Sequence, residues 1–151
     1  HVMARRQRQM CIRDSYLVMQ IEITIYYTIV LVVFMLILAF RVIDLRKSPV
    51  TKFLHSENRI VDEDTLYRAV RGHGNLIEYA PLFLILMMMA EINGLSPTYL
   101  HLSGLVFTMG RLMHGIVFSF MRPNLILRVG GMILTFAGYL ILITLSFYTL
   151  L

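Results

Sequence analysis

Charged residues divide this sequence into four long apolar stretches joined by short polar segments. Ile23 to Phe40 carries no charge, with Tyr26 and Tyr27 near one end. At about 1.5 Å per residue that run approaches the hydrocarbon thickness of about 30 Å, so it predicts a membrane-crossing helix. Arg41, Asp44, Arg46 and Lys47 end the run, and Ser48-Pro49 breaks the helix before a polar connector that reaches about Glu63. The second stretch is too short to cross alone. Between Glu78 and Glu91 lie about a dozen uncharged residues, a rise of about 18 Å, so a spanning helix must carry Arg71, Asn75 and Glu78 towards membrane depth. Asp64 or Thr65 is the expected N-cap, Asn93-Gly94 the expected stop, and Ser96-Pro97 opens the next helix.

The third helix, Pro97 to about Met121, holds Arg111 and His114 inside an apolar pattern. Ionisable residues are expensive in a bilayer, and their default reading is functional. Arg122-Pro123-Asn124 then separates it from a fourth run that carries no charge from Val129 to Leu151. The pattern predicts an all-α integral membrane protein, a bundle of four transmembrane helices at about 17–46, 65–92, 97–121 and 125–151. Lys and Arg concentrate in the first and third connectors and are absent from the Glu91 to Ser96 turn. Both basic connectors are therefore expected on the cytoplasmic side, with both termini outside.

Composition agrees with this reading. The chain of 151 residues is 58% hydrophobic and 15% charged, with a mean hydropathy of +0.71, whereas soluble domains are roughly 45–50% apolar. The net charge of +5 does not imply nucleic acid, because the basic residues sit at span ends rather than on a polar face with interleaved aromatics. Cys11 is the one cysteine, which excludes an intramolecular disulfide and a multi-cysteine metal site. His55, His101 and His114 fall on three segments, and no metal is assigned. Residues 1–15 carry Arg5, Arg6, Arg8 and Arg13 without a signal-peptide core. Their Cys11 to Ser15 end resembles sequencing-adapter read-through, so they are expected to be a non-native or disordered leader. The membrane domain is taken as 16–151, with a natural start near Met19. The leader's arginines argue against termini outside, but only if that segment is native.

The polar residues fall into two clusters. On a helical wheel Arg71, Asn75, Glu78 and Leu82 lie at about 0°, 40°, −20° and 20°, with Tyr79 at the edge of that stripe. On the third helix Arg111, His114, Phe118 and Arg122 fall within about 80°, and Arg128 opens the fourth helix at the same end as Arg71 and Arg122. The run Arg71-Gly-His-Gly-Asn75-Leu-Ile-Glu78-Tyr79-Ala-Pro81-Leu resembles the second-helix signature of the MAPEG superfamily, membrane-associated proteins of eicosanoid and glutathione metabolism. Gly110-Arg111-Leu-Met-His114 and Arg128 resemble its third- and fourth-helix signatures, and the resemblance covers about Met19 to Leu151.

That resemblance implies a homotrimer that binds glutathione, as co-substrate, between subunits in a bent pose near the cytoplasmic face. Arg71, Asn75, Glu78 and Tyr79 would hold its carboxylates and amine, joined by Arg111, His114 and Arg122. Arg128 stands where an arginine is proposed to activate the thiol, which makes it the catalytic candidate. Phe118 departs from the pattern, since several relatives have tyrosine there. The spacing from Arg111 to Arg128 also varies among members, so Arg122 competes for the role of Arg128. The chemistry fits: two carboxylates, an ammonium and a thiol call for several guanidiniums, a carboxylate and a cation near sulfur.

Plainer roles compete for each residue. Arg71, Arg122 and Arg128 could be snorkelling anchors, Glu78 and Arg111 a buried ion pair, and Asn75 interhelical glue. His73 faces away from the stripe. The glycines read as close-packing positions, and Met87-Met88-Met89 as packing or lipid surface. The leading function is a glutathione-dependent transferase or peroxidase acting on lipophilic electrophiles drawn from the bilayer of a bacterial inner membrane. The alternative is a non-catalytic lipid- or glutathione-binding membrane protein. A small multidrug exporter is weaker, because it wants an isolated intramembrane carboxylate and Glu78 sits among cations.

Overall fold

A computed structural model describes residues 21–49, 51 and 60–151. The leader with Cys11, the expected helical residues 17–20, and Lys52, His55 and Arg59 lie outside the described residues. Four helices follow in order: α1 Glu22–Leu45, α2 Glu63–Ile92, α3 Pro97–Phe120 and α4 Leu125–Leu150. All four are long and apolar enough to cross a membrane. They run alternately up and down. The α2 C-terminus meets the start of α1 through Glu91, and the α2 N-terminus meets the end of α3 through Arg68. Helix α3 is central: it packs on the other three, and 56% of its span is buried against 22–28% of theirs.

Local chemistry sets the ends. Gly94 takes φ 81°, and the amides of Gly94 and Leu95 bond to the carbonyls of Glu91 and Ala90 at 3.0 Å each. This paired closure satisfies carbonyls that the helix leaves free. Pro97 occupies the first turn of α3, and the Asn124 side chain accepts from the Leu127 amide at 3.1 Å to open α4. Two expected boundaries shift. The N-cap of α2 is Asp62 rather than Asp64 or Thr65, because Glu63 and Asp64 both suit the positive end of the dipole and allow the helix to start earlier. Helix α3 stops at Phe120, and Met121 is extended at φ −113°, ψ 163°. Pro123 disfavours helical geometry at the residue before it, so Arg122 lies beyond the helix and does not share its face.

The core is aromatic at mid-height. Phe83 and Phe107 stack at 3.8 Å with 2° between planes, and Tyr139 meets both edge-on at 5.3 and 5.5 Å. The Tyr139 hydroxyl donates to the Tyr79 carbonyl at 2.6 Å, tying α4 to α2. Close approach of α3 and α4 depends on glycine: a Cβ on Gly138 would fall 2.8 Å from the Phe107 amide nitrogen, and one on Gly110 would fall 2.7 Å from that of Thr135. At the other end of α1, the Glu91 carboxylate accepts from the amides of Ile23 and Thr24 at 2.8 Å each. A side chain from α2 thus caps α1.

Candidate functional site

Helix α2 spans 30 residues, a rise of about 45 Å against about 30 Å of hydrocarbon, so its first turns project beyond the apolar layer. Where it reaches that boundary, Gly72 lets it press onto α3: a Cβ there would meet the Ser119 hydroxyl at 2.7 Å and the Phe118 Cβ at 2.9 Å. That contact puts Arg71 beside Phe118. The start of α4 completes a cavity of about 430 Å³ lined by Asp64, Tyr67, Arg68, Arg71, Phe118 and Arg128, among others. Its size is that of an ordinary small-ligand site. Arg128 lies over the Phe118 ring, 5.2 Å from its centroid, a geometry that orients the guanidinium electrostatically.

His114 sits behind this wall. Its ring packs on Phe118 at 4.7 Å, it is buried, and its Nδ1 lies 3.2 Å from the Arg128 carbonyl. That oxygen can only accept, so Nδ1 donates and, in the neutral ring, Nε2 keeps a lone pair. Nε2 has no partner among the described residues. Arg111 is deeper still and 2% exposed. Its Nε donates to the Thr135 hydroxyl at 2.8 Å, Nη1 to the Asn75 carbonyl at 3.3 Å and Nη2 to the Met132 sulfur at 3.2 Å. The Tyr79 ring covers its guanidinium at 4.9 Å. The ion pair with Glu78 that the sequence allowed is not formed in the described structure. Glu78 is exposed on the outside of α2, and Arg111 points into the seam between α2, α3 and α4, where neutral acceptors satisfy it.

The expected residues therefore separate into levels. Arg71 and Arg128 line one cavity, and Arg122 lines an adjoining one of about 370 Å³ with Asp62 and Arg41. Asn75, Glu78 and Tyr79 continue down α2, Glu78 about 10 Å below Arg71 by helical rise. Arg111 and His114 are buried inside the bundle and line neither of these two cavities. Sequence reasoning passed over Arg68 and Tyr67 and read Asp64 only as a helix cap. Arg68 lies three residues before Arg71 and four after Asp64, a spacing that already places all three side chains on one face. The cavity wall carries three guanidiniums and one carboxylate, which suits a ligand with more anionic than cationic groups.

A model of the MAPEG family matches residues 24–148, which take in all or most of each helix. The inner membrane protein YecN of Escherichia coli, in strain K12 and in strain O6:H1, is 36% identical to the chain over 78 residues. That match covers 52% of this chain and 58% of YecN, less than two thirds of the relative.

Proposed function

This chain belongs to the MAPEG family, and from that premise we propose that it binds glutathione at the boundary cavity and transfers it, as thiolate, to small lipophilic electrophiles. The observation that carries the reading is the meeting of Arg71 from α2 and Arg128 from α4 in one cavity, with the polar stripe of Asn75, Glu78 and Tyr79 leading away from it. Arg71 takes a carboxylate of the tripeptide, and Glu78, with Asn75 and Tyr79, takes the ammonium. Arg128 is left for sulfur. A free thiol titrates near 8.5, and lowering it by about two units stabilises the thiolate by about 2.7 kcal/mol. The thiol proton leaves to solvent. Sulfur then bonds to the electrophilic carbon while the leaving group departs with its electron pair; in the peroxidase variant it attacks a peroxide oxygen, the O–O bond breaks and the alcohol departs, and a second glutathione condenses with the resulting sulfenic acid to give the disulfide and water. Arg111 and His114 act from behind, holding α2 and Phe118 in place.

Glu78 also supports a homotrimer. A carboxylate facing lipid at that depth costs about 2.5–3.5 kcal/mol on insertion scales, so the exposed α2 face calls for a neighbouring copy or a ligand. We place the basic connectors in the cytoplasm and both termini outside on the charge asymmetry, and the host membrane as a bacterial inner membrane by analogy with YecN. Titration calorimetry of the detergent-solubilised protein with glutathione tests the reading: saturable binding supports it, and none at millimolar ligand refutes it. A non-catalytic binder is the second reading. It is favoured by Phe118, which offers the cavity a ring and no hydroxyl where several relatives have tyrosine. Turnover of an aryl halide by protein that binds glutathione decides between the two.

A further inference from the structure

Arg68 stands between the two boundary cavities, lining both the one that holds Arg71 and Arg128 and the one that holds Arg122. Its Nη2 alone donates to the carbonyls of Val117 and Met121, at 2.8 Å each. Val117 contributes one of the last four carbonyls of α3, which lack partners within the helix, so Arg68 closes that helix end. Two of five donors suffice for that task. Nε and Nη1 meet no acceptor among the described residues. No carboxylate among them comes within ion-pair reach either, although Asp64 lines both cavities one turn away. A half-buried cation is therefore fixed at the cavity wall with donors unspent.

We infer that Arg68 is a ligand-binding residue that holds the glycyl carboxylate of glutathione, an inference that rests on reading the cavity as a glutathione site. The ammonium marks the glutamyl end of the tripeptide and goes to Glu78, ten residues further along α2 than Arg68, or about 15 Å by helical rise. The opposite terminus then lies towards the boundary. A tripeptide reaches about 10 Å when extended, and two side chains cover the remainder. Fixing one nitrogen on main-chain carbonyls lowers the ordering cost of the contact, since the guanidinium is already oriented when the anion arrives. Arg71 and Arg128 keep their separate tasks at the glutamyl carboxylate and the sulfur.

The competing role is helix closure alone, and a comparison of two ligands separates them. Titration calorimetry is run on the parent and on Arg68→Gln with glutathione and with its glycyl monoethyl ester, which lacks the anion but keeps the rest of the molecule. The parent should bind the ester about ten- to a hundred-fold more weakly than the acid. The variant should lose that preference, binding the acid about as weakly as the parent binds the ester. If Arg68 only closes α3, the substitution moves both ligands equally or neither, and the inference falls. Should Arg68→Gln fail to fold, Arg68→Lys keeps a cation at the helix end. It should narrow the preference for the acid by several-fold, and an unchanged preference overturns the inference. A parent that binds no glutathione refutes the proposed function instead. A parent that binds acid and ester equally refutes the role of Arg68 and leaves the proposed function standing.

Discussion

Arg128→Ala removes a guanidinium that lines the cavity and lies 5.2 Å from the Phe118 ring centroid. The loss to the fold is small. An exposed cation over an aromatic ring contributes about 0.5–1 kcal/mol, and the bond that His114 makes is to the main-chain carbonyl of residue 128, which alanine keeps. What is lost is the charge assigned to sulfur. If that charge lowers the thiol from about 8.5 to about 6.5, its removal cuts the thiolate share of bound ligand at pH 7 from about three-quarters to about 3%, roughly 25-fold, a barrier increase of about 1.9 kcal/mol. Glutathione affinity should stay within a few-fold, because Arg71 and Glu78 are untouched. That combination is the signature of a contact strongest in the reacting state. Three measurements suffice: calorimetric affinity, turnover of an aryl halide at saturating glutathione, and thiolate absorbance of the complex at neutral pH. Arg122→Ala is the control, since Arg122 lines the adjoining cavity. If the Arg122 variant loses thiolate and turnover while the Arg128 variant keeps them, the catalytic role belongs to Arg122 and the reasoning from the Phe118 wall is wrong. If Arg128→Ala weakens affinity as much as turnover, the residue holds the peptide rather than activating it.

Other substitutions test neighbouring steps. Arg71→Ala should weaken glutathione binding by about 1.5–3 kcal/mol, or ten- to a hundred-fold, with the fold intact; unchanged calorimetric affinity would return Arg71 to the role of an anchor. Gly138→Leu puts a side chain where a Cβ already falls 2.8 Å from the Phe107 backbone. It should cost about 1–3 kcal/mol or more and lower the thermal midpoint in detergent, whereas a neutral effect would mean that α3 and α4 sit further apart than described. Glu91→Gln swaps one of two accepting oxygens for an amide that cannot accept from the first turn of α1. A loss of about 1–3 kcal/mol is expected, read as earlier exchange of the α1 amides by hydrogen–deuterium measurement, and unaltered protection would show that the cap adds nothing.

Much of this was legible from residue order alone. Runs without charge as long as those of α1 and α4 admit few structures besides a span, and the shortfall between Glu78 and Glu91 already required α2 to carry polar groups inward. The stripe of Arg71, Asn75 and Glu78 followed from helical periodicity, which is a local property. What could not be read was which way each polar group turns, because that depends on which helix becomes central. Arg111 and Arg71 are both arginines in apolar surroundings, yet 56% of the α3 span is buried against 28% of the α2 span, so one is interior and the other lines a cavity. Nothing local singles out Arg68, whose role depends on the end of α3 being positioned against it. In the sequence Glu91 only bounds an uncharged run, and the placement of α1 beside it is what makes it a cap. Arg122 was misplaced for a local reason that was available: the proline after it ends the helix.

Arg111 and Glu78 together bear on assembly. The bundle keeps a guanidinium at 2% exposure and satisfies it with a hydroxyl, a carbonyl, a sulfur and an aromatic face, while the carboxylate nearest it in the motif is turned outward. Pairing the two inside the subunit would have been the obvious way to reduce the cost of burying each. Removing one partner of a buried pair typically costs 3–5 kcal/mol, so an arrangement without the pair needs compensation on both sides. On the cation's side the compensation is visible atom by atom. On the carboxylate's side none is seen among the described residues, so the proposed ligand or a neighbouring copy would have to bring positive charge or donors to the outer face of α2. A ligand ammonium meets that need directly, and a second subunit packed on the same face would exclude lipid from it. A site shared between subunits, as proposed above, would meet both requirements at the same exposed carboxylate.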